Sequence, residues 1–162
     1  MKLLKTHKLG LSRNGKWLFR NLNLKIPSGS LVAILGPSGV GKSSLLSCLS
    51  GSEKQTEGKV EFEVKSDNIR TPENISPELG IIFQSLRLTE HVTVLENVLY
   101  GKIAKYGIKE SIFGFPAEDR ESAYQILKDL GISHLAHKWT SQTSGGEKQR
   151  TAIARTLFQN PK

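Results

Sequence analysis

One cysteine, Cys48, is all the thiol that the 162 residues contain. A lone cysteine excludes an internal disulfide and suits a reducing cytoplasm. No apolar run approaches the roughly 20 residues that a membrane span requires. The basic start Met1-Lys2-Leu3-Leu4-Lys5 carries far too short an apolar stretch for a signal peptide. Internal repeats, low-complexity tracts, arginine-rich runs and the aromatic–basic interleaving of an RNA-binding sheet are also missing. The net charge of +8 comes from scattered lysines and reads as a solvated basic face, so nucleic acid is not an expected partner. With 37% hydrophobic and 23% charged residues, the composition is that of a globular chain long enough to bury a sizeable core.

Against that background Gly36 to Ser43 stands out. It reads G-P-S-G-V-G-K-S and fits the phosphate-loop pattern G-x-x-x-x-G-K-[ST] at every fixed position. Each residue type has a physical reason. Gly36, Gly39 and Gly41 allow backbone angles and close approach that a side chain would block. Successive N–H groups then surround phosphate oxygens, and a following helix aims its N-terminal dipole at the same anion. Lys42 is expected to reach the β- and γ-phosphates and the Ser43 hydroxyl to bind Mg²⁺, with Ser44 adding a phosphate contact. Pro37, Ser38 and Val40 complete the loop. The alternative is a plain glycine turn between strand and helix. Cys48 lies in that helix and reads as core packing.

The pattern of apolar residues predicts strands over residues 17–26, interrupted by no helix, with a turn at Pro27-Ser28-Gly29. Leu31 to Leu35 reads as a buried strand, residues 43–49 as a helix ending at Gly51, and Gly58 to Val64 as a further strand. Residues 65–77 read as a loop. Leu79 to Gln84 reads as an apolar strand ending in glutamine. Helical spacing returns over residues 92–100; residues 101–116 show no clear period. Pro116 is expected to open a helix to about Leu130 with Ala123, Ile126, Leu127 and Leu130 on one face. A short helix near Leu135, a loop at residues 140–143 and a helix from Gly145 to about Phe158 complete the chain.

Ser144-Gly145-Gly146-Glu147-Lys148-Gln149-Arg150 is the second informative stretch. Ser144 and Glu147 have capping-box spacing. The box alone leaves two glycines unexplained, each costing about 1 kcal/mol relative to alanine inside a helix. They make sense where a ligand must approach the backbone closely. This stretch resembles the signature motif L-S-G-G-Q-x-Q-R of the ATP-binding cassette (ABC) ATPases, with Thr143 for the leucine and Glu147 for the first glutamine. Gln84 falls where that family has its Q-loop glutamine, and Thr93-Val94-Leu95-Glu96-Asn97-Val98 resembles its T-V-x-E-N-V run. The resemblance covers nearly the whole chain, from about Leu9 to Lys162.

The resemblance implies an α/β fold: a P-loop NTPase core of the ABC type, with mixed sheet and helices and an inserted helical subdomain, incomplete at the C-terminus. Residues 1–84 would be core with β-subdomain and phosphate loop, 85–145 the helical subdomain, and 146–162 the signature helix leading back to the core. It implies a homodimer in which ATP and Mg²⁺ lie between one subunit's phosphate loop and the partner's signature, with Ser144, Gly145, Gly146, Glu147 and Gln149 serving the partner's ATP. Ser43 would bind Mg²⁺, and Gln84 would bind Mg²⁺ or the attacking water and relay the state of the site to the membrane subunits. Transmembrane permease subunits, and indirectly a substrate-binding protein, would be partners, placing the chain peripherally at the cytoplasmic face of the membrane. Ser111-Ile112-Phe113-Gly114-Phe115-Pro116 with Glu118-Asp119-Arg120, and Leu130 to His137, resemble the importers of phosphonates or related phosphorus oxyanions.

Two departures stand beside the resemblance. The family's adenine-stacking aromatic falls on Ser12 or Arg13; Arg13 or Trp17 could stack on the base, although Trp17 reads first as a packed sheet residue. The sequence ends at Asn160-Pro161-Lys162, ahead of the family's Walker B Asp and Glu and its switch histidine. No catalytic base is assigned, and a C-terminally truncated, poorly stable fragment is expected. Other readings are a nucleotide-binding module without hydrolysis and a soluble non-transport ABC ATPase.

Overall fold

The computed structural model describes residues 3–64, 69–72, 78–106 and 114–161. It divides into two units, Met1–Leu79 and Gly80–Lys162, each with its own core.

The first unit is built on an antiparallel sheet. Strands β1 (Leu3–Arg13), β2 (Lys16–Leu22), β3 (Lys25–Pro27), β4 (Glu57–Glu63) and β5 (Ile69–Arg70) assemble in the order β2-β1-β4-β5, with β3 also pairing β1. β1 and β2 are joined through Asn14-Gly15, both at positive φ (50° and 74°), the two-residue turn whose twist matches the flanking strands. β1 is irregular in its middle, where Lys8 takes φ 45° and the register with β2 and β4 shifts. Gly58 fits that kink: at φ 76°, an added Cβ would lie 2.3 Å from the Lys8 carbonyl oxygen. One face of the sheet buries Leu9, Leu11, Val60 and Phe62 against Cys48 and Leu49 of α1 (Lys42–Leu49). The expected strands over residues 17–26 and 58–64 are present as β2, β3 and β4.

Three segments differ from the sequence-based expectation. Leu31 to Leu35 forms no strand, and Leu31, Val32 and Leu35 are exposed. Leu79 to Gln84 likewise lacks strand pairing. A strand is completed by hydrogen bonds to a neighbour, and among the described residues none runs beside either segment. Within the expected loop of residues 65–77, Ile69 and Arg70 pair with Glu63 and Phe62 of β4; residues 65–68 and 73–77 lie outside the described set.

The second unit is helical. It contains α2 (Val94–Leu99), a 3₁₀ stretch Tyr100–Lys105, α3 (Ala117–Asp129), 3₁₀ turns at Ser133–Leu135 and Thr140–Gln142, and α4 (Gly145–Gln159). Of residues 140–143, expected as a loop, Thr140–Gln142 make a 3₁₀ turn and Thr143 is extended. Pro116 caps α3, as its position in the sequence predicts, and Ala123 and Leu127 face the core with Ile126 and Leu130 packed at its margin. That core gathers Val94, Val98 and Leu99 from α2 and Ala154 and Phe158 from α4. Lys102 ties the 3₁₀ stretch to α3 through Asp119 (2.7 Å) and lies over the Phe158 ring.

Asn97 organises the polar interior of this unit. It is fully buried, and its amide donates to the Thr89 carbonyl and to Thr140 Oγ1, each at 2.8 Å. Its Oδ1 accepts the Thr89 N–H at 2.9 Å. Thr140 Oγ1 in turn donates to the Val92 carbonyl at 3.1 Å. One side chain therefore closes the entry to α2 against the segment that leads to α4.

Candidate functional site

The phosphate-loop pattern folds into a turn that leads into α1, whose first two residues are its Lys42 and Ser43. Gly39 and Gly41 take φ 80° and 101°, angles that a side chain opposes. Gly41 is the N-cap, and no side chain caps the helix. The first N–H groups of a helix have no partner within it, so those of Lys42, Ser43 and Ser44 face the loop side. An uncapped terminus with oxygen-bearing Ser43 and Ser44 in its first turn is an anion-binding arrangement. Lys42 folds across the loop: its Nζ donates to the carbonyls of Gly36 (2.8 Å) and Pro37 (2.7 Å). The ammonium is thereby held at the loop rim. Pro37, Ser38 and Val40 are exposed along the same loop.

Cys48, on the opposite end of α1, is buried, as expected of core packing. Burial, with a smaller contribution from Glu53, pushes its thiol up to about 11. At the hairpin, Arg13 is engaged by Glu53 (Nη2 to Oε1, 2.7 Å). Trp17 packs over Gly10 of the sheet, where an added Cβ would stand 3.0 Å from its ring, yet it remains 42% exposed, with the Arg20 guanidinium 4.5 Å from its ring centroid. It sits near the sheet margin, where an apolar ring gains little by turning inward.

In the second unit the signature residues form the start of α4. Ser144 is its N-cap, and both halves of the capping box are made. The Ser144 N–H donates to Glu147 Oε2 at 2.7 Å, and the Glu147 N–H donates to Ser144 Oγ at 3.4 Å. The Ser144 N–H, followed by its hydroxyl, holds the Glu147 carboxyl below the usual carboxylate range. Gly145, Gly146 and Gln149 are exposed, and an added Cβ on either glycine would meet nothing within 4 Å. Among the described residues nothing therefore requires glycine there.

Gln84 is exposed, next to a tight turn. Leu86 and Arg87 take φ 56° and 46°. Left-handed non-glycine residues cost on the order of 1–3 kcal/mol each, so the turn is held by its surroundings. Arg155 of α4 does this, and the sequence reading missed it: a positive φ on leucine or arginine leaves no trace in residue type. Asn97 was likewise passed over as a structural tie. Among the described residues, no group of His, Cys, Asp and Glu forms a metal cluster.

The sequence profile of the ABC transporter family matches residues 19–162. The chain is 39% identical over 170 residues to the phosphonates import ATP-binding protein PhnC 2 of Oceanobacillus iheyensis, an alignment that covers 100% of this chain and 66% of that protein. It is 38% identical to the glutamate transport ATP-binding protein GluA of Corynebacterium efficiens, over 88% of this chain and 57% of that one. Its fold is similar to the dimeric post-hydrolysis structure of the ATP-binding cassette MJ0796 bound to ADP and Pi, with TM-score 0.80 and 33% identity, covering 98% of this chain and 70% of that one. The chain thus spans roughly two-thirds or less of the length of these curated relatives. On the matched profile and these identities, the chain belongs to the ABC transporter family.

Proposed function

We propose that this chain binds ATP as the nucleotide-binding subunit of an ABC importer, and that it couples ATP binding and hydrolysis to movement in a permease. The uncapped N-terminus of α1 behind the Gly36–Ser43 loop carries this reading, because it gathers unpaired N–H groups, a helix dipole and Lys42 at one anion-sized place. Lys42 leaves the Gly36 and Pro37 carbonyls and turns to the β- and γ-phosphates. The Ser43 hydroxyl of the first unit and the Gln84 side-chain carbonyl of the second are each oxygen donors of the kind that suits Mg²⁺, which when bound would neutralise phosphate charge. No residue of this chain is assigned as a general base.

Pairing follows from α4. Ser144, Gly145 and Gly146 are open to solvent, and Glu147 is already used within the capping box, so the free face of this helix start suits a second subunit's nucleotide. We place residues 1–84 in the core, 85–145 in a helical subdomain and 146–162 in the signature helix. Among the described residues no helix is long and apolar enough to cross a membrane. Attachment to the cytoplasmic face would run through permease subunits. The names of relatives favour a phosphonate or related anion as the transported solute, although GluA, of similar identity, is named for glutamate transport. The supporting segments are Gly114-Phe115-Pro116 and Leu130 to His137; Ser111, Ile112 and Phe113 lie outside the described residues.

Titration with a fluorescent ATP analogue tests the reading. Wild-type protein with Mg²⁺ binds, and Lys42→Ala weakens binding by roughly ten- to a hundredfold, the loss of charge-assisted contacts to phosphate. Equal affinity of the two proteins, or no binding by wild type, would sink the assignment.

A further inference from the structure

The turn beyond Gln84 is closed at both of its ends. The Leu86 N–H donates to the Phe83 carbonyl at 2.9 Å, and the Arg87 N–H donates to the Ser85 carbonyl at 2.6 Å. The second bond spans a residue at positive φ, which is the strained form of a three-residue turn. The Arg87 guanidinium folds back over the Phe83 ring, 3.7 Å from its centroid. Leucine and arginine lack the short polar side chain that eases asparagine or aspartate into the left-handed region. A force from outside the turn has to hold it.

Arg155 supplies that force. Its Nη1 donates to the Arg87 carbonyl and its Nη2 to the Leu86 carbonyl, each at 2.7 Å. The two left-handed residues present consecutive carbonyls to one planar guanidinium, a fork that a lysine cannot reproduce. Arg155 is half-buried and forms no ion pair with a carboxylate among the described residues, so these carbonyls are what its desolvated charge is turned towards. The helix is also fixed from a second direction at this level. Gly101 lies so close that an added Cβ would stand 2.3 Å from the Arg155 carbonyl oxygen.

We infer that Arg155 is a positioning residue for Gln84, clamping the glutamine turn to the helix that begins at Ser144-Gly145-Gly146, so that turn and helix move as one body. What Gln84 does at the nucleotide rests on the function proposed above; the clamp itself is present without nucleotide. A shift of α4 caused by a nucleotide at its N-terminus would then reach Gln84 through Arg155.

Hydrogen exchange on the purified protein without nucleotide is the first test. Arg155→Lys speeds exchange at Leu86 and Arg87 by roughly tenfold, with Thr151 to Ala154 in α4 unchanged. The second test is binding of the fluorescent ATP analogue with and without Mg²⁺. Arg155→Lys reduces the gain in affinity that Mg²⁺ brings, and adding it to Gln84→Ala brings no further loss, because it acts through the same residue. Unchanged exchange at Leu86 and Arg87 would overturn the clamp. So would a uniform rise across α4, or a double variant whose loss is the product of the two single losses. Wild-type protein that binds no ATP would overturn the nucleotide reading, and the exchange result would still decide the clamp.

Discussion

Lys42 and Cys48 lie on one short helix and meet opposite environments. Lys42 stands at the uncapped end, its ammonium held, among the described residues, by two backbone carbonyls that it can exchange for a stronger acceptor. Cys48 is sealed under the sheet beside Leu49 and Phe62. With its pKa near 11, about one thiol in a thousand is ionised at pH 8, before burial limits access further. Labelling with a thiol reagent at pH 8 should therefore run at least roughly a hundredfold slower in the native protein than in denaturant. Comparable rates would mean that α1 does not pack as described. The position of Cys48 in a helix of apolar spacing made its burial legible from sequence. The exposure of Trp17 was not legible, because the same alternating pattern serves a central and a marginal position in a sheet.

Among the elements, the helices and their caps were readable and the strands only in part. Thr93 and Ser144 both make the capping boxes that S/T-x-x-E spacing predicts. In each box the glutamate carboxyl is held below its usual range by the N–H and hydroxyl that donate to it. These interactions span three or four residues, so local sequence suffices. Asn97 shows the opposite case. It was read as part of a helical run, yet it bonds Thr89 on one side and Thr140, far along the chain, on the other. Asn97→Ala should destabilise the second unit by about 2–4 kcal/mol, leaving the Thr89 groups and the Thr140 hydroxyl without their partner. Thermal or urea unfolding of the variant measures this, and a loss under about 0.5 kcal/mol, the range of a surface substitution, would contradict it.

Over the whole molecule, the described residues form two apolar cores, and the segment Leu31 to Leu35 contributes to neither. Leu31 and Leu35 are 101% and 88% exposed. Such residues in a row favour association with other copies. The 162-residue protein should scatter light increasingly with concentration, and the pair Leu31→Ser and Leu35→Ser should reduce this while shifting Tm by no more than a few degrees, since neither leucine contributes to a core. A fall in stability of about 2–5 kcal/mol per leucine would instead show that the segment is buried in solution.

The phosphate loop, the signature helix and the four α-helices of the described residues could be named from residue order alone, because turns, caps and amphipathic faces are set by neighbours a few positions away. Strand formation at Leu31–Leu35 and Leu79–Gln84 could not, since a ladder bond belongs to two segments and residue pattern describes only one. The left-handed pair Leu86-Arg87 and its hold by Arg155 were equally out of reach. They arise from a contact across 68 or 69 positions, where the guanidinium of one element offsets the strain of another.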